Sequence, residues 1–337
     1  MSPTILYSEA MYPDDSVERE VFGPGARILM PGAESVAAVD PALCAEIEGL
    51  MIFRHQLSAS DLARFPRLRA VVRMGVGYDR LDRVALAAAG VVVCNVPDYG
   101  TMEVADHAVA LLLALRRGVV LHHEAQRRDP PAAWRAVESP LIRRLSVQTL
   151  GIVGLGRIGT AVALRAKAFG MHVAFFDPHV SNGTDLAIGV ERVRSLDALL
   201  ARADMLTIHA PLTPETRGMI GGRELALLPA GAVLVNTARG AIVDPDAVLD
   251  ALRSDHLAGA GLDVLPVEPP VEPLPALLRA YRGRGREPWL EGRLIVTPHS
   301  AFHTPEAWAD IRRKSAETMA AALLSNAPQN VIAPDSH

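Results

Sequence analysis

The chain has 337 residues, of which 50% are hydrophobic and 21% are charged, and this composition excludes a disordered protein and permits sizeable buried cores. The length predicts two domains. The formal net charge of −4 gives no electrostatic basis for binding nucleic acid or an anionic membrane surface.

No targeting or membrane-spanning segment is expected. The N-terminal segment becomes acidic at Asp14 and Asp15, where a signal peptide would be apolar. The longest apolar runs, such as residues 108–115, are far shorter than the roughly 20 residues that a bilayer-spanning helix needs. We therefore expect a soluble, cytoplasmic protein.

Short, nearly continuous apolar runs alternate with amphipathic stretches, which predicts strands buried on both faces of a parallel sheet. The predicted strands are residues 70–72, 91–94, 150–153, 172–176, 205–208, 233–236, 258–264 and 294–296. Asp40, Asp244 and Thr304 each precede a proline, as helix caps do, and Ser58 with Asp61 resembles a capping box. The alternation indicates an α/β fold with doubly wound parallel sheets.

Two segments interrupt this alternation. Residues 101–127 are predicted to form one long helix, apolar through Leu115 and then charged, followed by a polar stretch that contains Trp134. Such a helix suits a domain bridge or a dimerisation arm, with the second domain beginning near Leu145. Residues 266–292 are rich in proline and predict a long loop, which is usually functional or mobile.

A glycine-rich motif carries the cofactor signal. It runs Gly154, Leu155, Gly156, Arg157, Ile158 and Gly159, between a predicted strand and a predicted helix. Gly154 permits a tight turn, Gly156 lets the backbone approach a pyrophosphate, and Gly159 lets the helix pack against the strand. The helix N-terminus then offers its N–H groups to the phosphate. The alternative is a purely structural turn between strand and helix.

Asp177 follows the second strand of the same unit, at the position where a carboxylate binds the adenosine ribose hydroxyls. Its negative charge would repel a 2′-phosphate. We therefore expect NAD(H) as the cofactor, with NADP disfavoured. The alternative for Asp177 is a solvated surface carboxylate.

Hydride transfer to a small oxo acid needs a cation for the carboxylate, an acid/base at the reacting oxygen, and a partner for that acid/base. Arg239, Glu268 and His299 follow successive predicted strands, whose carboxyl ends are where open α/β sheets bind ligands. Each of these residues taken alone is more often structural than catalytic. Their joint occurrence favours a catalytic set.

Several motifs resemble those of the D-isomer-specific 2-hydroxyacid dehydrogenases. They are NTARG (236–240), LDVLPVEPP (262–270), TPHSAF (297–302), RMGVGYDRLD (73–82), CNVPDYGTMEVADH (94–107) and GIVGLGRIGTAVALRAKAFG (151–170). FFDPHVSNG (175–183), with ALRAKAFG and CNVPD, is most similar to the branch of the C-terminal-binding proteins. The resemblance extends over nearly the whole chain.

The resemblance implies a role for each candidate. Arg239 would bind the substrate carboxylate and carbonyl oxygen, His299 would be the acid/base, and Glu268 would orient the imidazole and favour its protonated form. Further substrate contacts are implied for Val76, Gly77, Arg73, His55 and Phe302. Further cofactor contacts are implied for His209, Ala210, Pro211, Thr216, Thr237, Ala238 and Asp263, the last facing the nicotinamide amide.

The resemblance also implies two α/β domains with a cleft between them. Residues 1–100 with 304–337 would form the substrate domain, and residues 145–303 the NAD-binding Rossmann domain. Residues 101–144 would form a connecting helix and arm that build a homodimer. The implied activity is reduction of a small 2-oxo acid by NADH. The alternative is an NAD(H)-sensing scaffold or corepressor of the binding-protein type.

Three departures from the binding-protein branch concern the pocket. The stretch between Glu268 and His299 is longer, through residues 269–292. Phe302 stands where that branch tends to carry tryptophan, and Gly100 stands where a serine often contacts the cofactor.

The remaining polar residues predict no further site. Adjacent helical residues such as His122 and His123 point about 100° apart, so no metal site is expected. Cys44 and Cys94 are expected to be small buried residues. Arg282, Arg284 and Arg286 are separated by glycines and predict a mobile loop.

Overall fold

The computed structural model describes residues 2–283 and 287–334. The chain divides into a first unit, residues 1–100 with 303–337, and a second unit, residues 101–302. Arg284 and Arg286 of the predicted mobile loop lie outside the described residues.

Within residues 2–100, the first unit forms a parallel sheet of five strands in the order β2-β1-β3-β4-β5. The strands are β1 (Thr4–Tyr7), β2 (Arg27–Leu29), β3 (Gly49–Ile52), β4 (Ala70–Arg73) and β5 (Val92–Asn95). The helices are α1 (Ser16–Phe22), α2 (Pro41–Cys44), α3 (Ala59–Leu62) and α4 (Arg83–Ala88). The sequence analysis predicts β4 and β5 but not β1 to β3.

In residues 101–283 and 287–302, the second unit forms a parallel sheet of seven strands in the order β12-β11-β10-β9-β6-β7-β8. They are β6 (Thr149–Val153), β7 (His172–Phe176), β8 (Glu191–Arg192), β9 (Met205–Ile208), β10 (Ala232–Asn236), β11 (Leu257–Leu262) and β12 (Leu294–Val296). The helices are α5 (Thr101–Arg116), α6 (Val119–Arg127), α7 (Arg157–Ala168), α8 (Thr184–Ile188), α9 (Leu196–Leu200), α10 (Gly222–Leu227), α11 (Pro245–Arg253) and α12 (Ala276–Arg282). Short 3-10 turns of the two units cover Gly23–Gly25, Val36–Ala38, Leu145–Val147, Gly240–Ile242 and Pro288–Leu290.

The central strands of the second unit are buried on both faces. Val233 and Val235 of β10 belong to the core that contains α5 and α7, whereas Leu234 belongs to the core that contains α9, α11 and α12. Successive residues of a strand point to opposite faces, so helices cover both sides of this sheet. The predicted doubly wound parallel fold is confirmed.

The C-terminal helix α13 (Pro305–Leu323) returns to the first unit. A Cβ on Gly49 of β3 would lie 2.8 Å from side-chain atoms of both Met319 and Leu323, so glycine allows α13 to pack closely on the sheet. None of the helices in residues 2–283 and 287–334 has both the length and the apolar character that a membrane span requires.

The predicted helix starts are confirmed. The side chains of Asp40, Asp244 and Thr304 each accept a backbone N–H from the first turn of the following helix. The Ser58 N–H donates to the Asp61 carboxylate at 2.9 Å, as in a capping box. Caps of this type contribute about 1 kcal/mol each.

The prediction of one helix over residues 101–127 is wrong, because α5 ends at Arg116 and α6 begins at Val119. Gly118 separates them with a φ of 60°, a left-handed conformation that glycine adopts without strain. A Cβ at this position would lie 3.0 Å from Ile142, so the break is also tightly packed.

The prediction of a loop over residues 266–292 is wrong in part. It contains α12 and the 3-10 turn Pro288–Leu290. Leu277 and Leu278 of α12 are buried in the core of the second unit, since they are 0% and 3% exposed. Because several prolines precede α12, its apolar face was not recognised in the sequence.

Candidate active site

The glycine motif forms the turn between β6 and α7. Gly154 has a φ of 90°, and a Cβ there would lie 2.7 Å from the backbone nitrogen of Ala210. A Cβ on Gly159 would overlap the carbonyl oxygen of Gly154. Chain packing therefore requires both glycines.

Gly156 has no such packing reason. Its φ is −75°, and beyond its neighbours in the chain no atom lies within 4 Å of the position that its Cβ would take. Arg157 and Ile158 follow it in the first turn of α7, where backbone N–H groups have no partner within the helix. The space above Gly156 and the helix N-terminus together fit the pyrophosphate of a dinucleotide.

Asp177 lies directly after β7, and its carboxylate is fixed rather than freely solvated. One oxygen accepts the N–H of Leu155 at 2.8 Å, and the other accepts the N–H of His179 at 2.9 Å. The carboxylate is thereby tied to the glycine turn. This position suits an acceptor for ribose hydroxyls.

Two buried polar atoms, on the residues that follow the neighbouring strands β9 and β10, also fit a cofactor. Within residues 2–283 and 287–334, Thr237 Oγ1 and His209 Nδ1 find no hydrogen-bond partner. Burial lowers the pKa of His209 to about 3, so its ring is neutral, and Nε2 lies 2.9 Å from the hydroxyl of Thr207. Unpaired buried polar atoms are rare, and a bound ligand is one way to satisfy them.

The other cofactor candidates are involved in local contacts. The backbone of Ala210 packs against Gly154, and the N–H of Ala238 donates to the side chain of Asn236 at 3.0 Å. The hydroxyl of Thr216 donates to the carbonyl of Pro211 at 2.6 Å and closes that turn.

Asn236 positions Arg239, a function that the sequence analysis does not assign. Asn236 is 1% exposed, and its amide donates to the carbonyl of Arg239 at 2.9 Å. A Cβ on Gly240 would overlap the backbone of Leu265, so glycine lets the turn that carries Arg239 lie against residues 265–268. Asn236 could have been recognised in the sequence as a polar residue at the end of a buried strand.

Glu268 connects Arg239 with His299. It accepts the N–H of Leu265 at 2.8 Å through one oxygen, and its other oxygen lies 2.6 Å from Nδ1 of His299. Burial by itself raises the pKa of Glu268, but the hydrogen bond and charge of His299, the Leu265 amide and the charge of Arg239 outweigh it and hold the pKa below its usual value. The three candidates therefore converge within the second unit.

His299 is held in an unusual backbone conformation, with a φ of 51°. Its N–H donates to the carbonyl of Asp263 at 2.7 Å, and its ring meets Phe302 edge to face, 6.5 Å between centroids. Because Nδ1 is engaged by Glu268, Nε2 is the nitrogen that can serve a ligand. The imidazole side chain is 35% exposed.

Asp263 serves the loop that carries His299. Its carboxylate is 1% exposed and accepts the Thr297 hydroxyl at 2.6 Å, the Ser300 N–H at 2.9 Å and the Ala301 N–H at 3.0 Å. The family resemblance implies that Asp263 faces the nicotinamide amide, but it does not imply that Asp263 holds the loop of His299. One carboxylate oxygen accepts a single bond, so a further donor can still be accommodated.

The remaining substrate candidates lie in the first unit. Arg73 ends β4, and its guanidinium lies 5.7 Å from the ring centroid of Phe53. Val76 accepts the side-chain amide of Asn95 at 2.7 Å through its carbonyl, and Gly77 follows it. His55 follows β3, the neighbour of β4, and its Nδ1 lies 3.2 Å from the hydroxyl of Ser8.

Glu9 anchors the loop that carries His55 and was missed by the sequence analysis. Its carboxylate accepts the N–H groups of Phe53 at 2.7 Å and His55 at 3.0 Å, and also that of Arg54. In the part of the chain that the structure describes, no group of three or more His, Cys, Asp and Glu side chains could hold a metal ion.

Comparisons with known proteins identify the family of this chain. Residues 109–301 match the family model of the D-isomer specific 2-hydroxyacid dehydrogenase, NAD binding domain. The chain is 40% identical to D-3-phosphoglycerate dehydrogenase of Mycobacterium leprae over 79% of its length and 47% of that protein. It is 33% identical to C-terminal-binding protein 1 of Caenorhabditis elegans over 94% of its length and 43% of that protein.

The chain thus spans less than half the length of these two curated relatives. A crystal structure of a glyoxylate reductase from Paecilomyes thermophila superposes with a TM-score of 0.85 and 25% identity, covering 98% of both chains. The family model alone covers more than half of the chain. This protein therefore belongs to the D-isomer-specific 2-hydroxyacid dehydrogenase family and has relatives among the C-terminal-binding proteins.

Proposed function

We propose that the protein is an NAD(H)-dependent oxidoreductase that interconverts a small 2-oxo acid and the corresponding D-2-hydroxy acid. The observation that carries this proposal is the pair of Glu268 and His299, 2.6 Å apart, with the charge of Arg239 acting on the same carboxylate. The pair belongs to a chain whose family is defined by an NAD binding domain.

Each residue of the set has a task in the proposed reaction. Bound NADH would supply a hydride to C2 of the oxo acid. Arg239 holds the substrate carboxylate and polarises the C2 carbonyl. His299 donates the proton from Nε2 to the C2 oxygen, so that hydride and proton together give the hydroxyl group. Glu268 stabilises the imidazolium and fixes its orientation.

The cofactor contacts are part of the same proposal. The N-terminal turn of α7 would hold the pyrophosphate, and Asp177 would accept the ribose hydroxyls. Thr237 Oγ1 and His209 Nδ1, which no described residue satisfies, would line the nucleotide. The carboxylate of Asp177 would repel a 2′-phosphate, so we propose NAD(H) over NADP(H).

The substrate contacts implied for Val76, Gly77, Arg73, His55 and Phe302 remain predictions of the family resemblance. Phe302 is supported by its ring contact with His299. The similarity to the structure of a glyoxylate reductase makes glyoxylate the first compound to test.

A homodimer is the proposed assembly. Exposed apolar side chains lie on the second unit at Leu164 and Phe169, which are 51% and 45% exposed, and at Trp134, which is 94% exposed. Exposed aromatic side chains such as Phe169 and Trp134 are enriched at protein interfaces. Trp134 lies in the segment that the resemblance assigns to a dimerisation arm.

A panel of glyoxylate, hydroxypyruvate, pyruvate and bulkier 2-oxo acids, each with NADH and with NADPH, tests the activity. We expect turnover of at least one compound, with a higher kcat/KM for NADH than for NADPH. Equal or better use of NADPH would remove the proposed preference.

The second candidate is an NAD(H)-sensing scaffold, which the match to C-terminal-binding protein 1 over 94% of the chain favours. The same panel separates the two. Tight NADH binding without turnover of any 2-oxo acid would favour the scaffold. The catalytic pair of His299 and Glu268 favours the enzyme.

A further inference from the structure

Helix α5 and strand β11 contact each other at regularly spaced positions. Leu111 and Leu115 lie one helical turn apart on α5, and Gly261 and Gly259 lie two residues apart on one face of β11. A Cβ on Gly261 would lie 3.2 Å from Cβ of Leu111, and one on Gly259 would lie 3.0 Å from Leu115. The glycines therefore let the helix approach the strand closely.

The same alignment of helix and strand places a histidine beside the carboxylate that binds the loop of His299. Four residues rise about 6 Å along a helix, and two residues rise about 6.6 Å along a strand, so the two spacings nearly match. One turn before Leu111 stands His107, and two residues beyond Gly261 stands Asp263. Nε2 of His107 lies 3.8 Å from Asp263 and 3.1 Å from the hydroxyl of Thr297.

The hydrogen bonds in this cluster have a defined direction. A carboxylate accepts, so the single hydroxyl proton of Thr297 is directed to Asp263, 2.6 Å away. The Thr297 oxygen must then accept from His107, which carries its proton on Nε2. The hydrogen bonds therefore run from His107 through Thr297 to Asp263.

The same carboxylate accepts the N–H groups of Ser300 and Ala301, the two residues that follow His299. His299 itself has a φ of 51°, which a histidine adopts only when its surroundings hold it there. Asp263 is thus the group that fixes the loop, and Thr297 and His107 fix Asp263.

We propose that His107 is a positioning residue for His299 and acts through Thr297 and Asp263. The proposal rests on the proposed function, because it concerns the placement of the acid/base in that reaction. His107 does not touch the reacting atoms in this role. It holds the carboxylate in the rotamer that shapes the loop.

Two substitutions separate this role from simple packing. In His107→Gln the side-chain amide can still donate to Thr297, whereas His107→Leu keeps much of the volume without a donor. We expect His107→Leu to lower kcat about 10-fold, since small misplacements of a catalytic group reduce rates strongly. The dissociation constant for NADH, measured by fluorescence, should change less than about 2-fold in both variants, and His107→Gln should keep most of kcat.

Thr297→Val removes the intermediate hydroxyl with little change of shape and should lower kcat to a similar extent. The double variant His107→Leu/Thr297→Val should be no worse than either single variant, because the two residues act in one chain. His123→Leu, on an exposed position of α6, is the matched control and should leave kcat unchanged.

Several results would overturn this role. The role is contradicted if His107→Leu retains wild-type kcat in an active enzyme, if the losses multiply in the double variant, or if His107→Gln loses as much activity as His107→Leu. If the wild type reduces no 2-oxo acid, the proposed function and this role fail together. If the wild type is active and kcat is insensitive to position 107, only this role fails.

Discussion

Glu268 is the residue on which the other two candidates, His299 and Arg239, both act. Its pKa lies below the usual value of 4.5, because His299 and Arg239 outweigh the effect of burial. A carboxylate with a lowered folded-state pKa stabilises the fold above its unfolded pKa, and this stabilisation is lost as the pH falls through the folded value.

Glu268→Gln should therefore lower the free energy of unfolding at neutral pH, and this loss should be smaller in acid. The measurement is the free energy of unfolding of wild type and variant, by denaturant titration at about pH 7 and at progressively lower pH. The difference should shrink below pH 4.5. A difference that does not depend on pH would contradict the lowered pKa of Glu268.

The type and spacing of residues in the sequence identify the candidate catalytic residues, but they do not predict the contacts that hold those residues in place. Arg239, Glu268 and His299 were found because each follows a buried strand within a recognisable motif. Asn236, Glu9 and His107 were not assigned roles, because their partners are distant in the chain or are backbone atoms. Only the folded chain identifies them as positioning residues.

Among the elements, α12 departs most clearly from the sequence prediction. Its Leu277 is fully buried, whereas the surrounding prolines predict a loop. Leu277→Ala should lower the free energy of unfolding by about 2–4 kcal/mol, because it leaves a cavity in the core of the second unit.

Leu186→Ala is the matched control for this substitution. Leu186 is 83% exposed and should change the stability by no more than about 0.5 kcal/mol. Similar effects of the two substitutions would contradict the placement of α12 in the core.

Element type was predictable where an apolar run adjoins a glycine or a helix begins at a cap. The strands β6, β7 and β10 and the start of α13 follow this rule. The break at Gly118 was not predicted, because a single glycine within an apolar pattern is often tolerated in a helix. Here its left-handed conformation and its contact with Ile142 decide the outcome.

At the scale of the whole molecule, the proposed homodimer can be tested by light scattering of the purified chain. We expect the mass of two chains. Phe169→Glu would replace an exposed apolar side chain with a charged one and should shift the mass toward one chain. Val84→Glu is the control, since Val84 is 67% exposed and belongs to the first unit. A monomeric wild type would exclude this assembly.

The proposed chemistry depends most on Arg239, and its substitution is the most direct test. Arg239→Ala should lower kcat/KM for the best 2-oxo acid at least about 100-fold, because it removes the cation for the carboxylate and the developing oxyanion. Arg239→Lys should recover part of this loss, and the dissociation constant for NADH should remain near the wild-type value in both. Near-normal kcat/KM in Arg239→Ala would contradict the assignment of this site as a 2-oxo acid reductase.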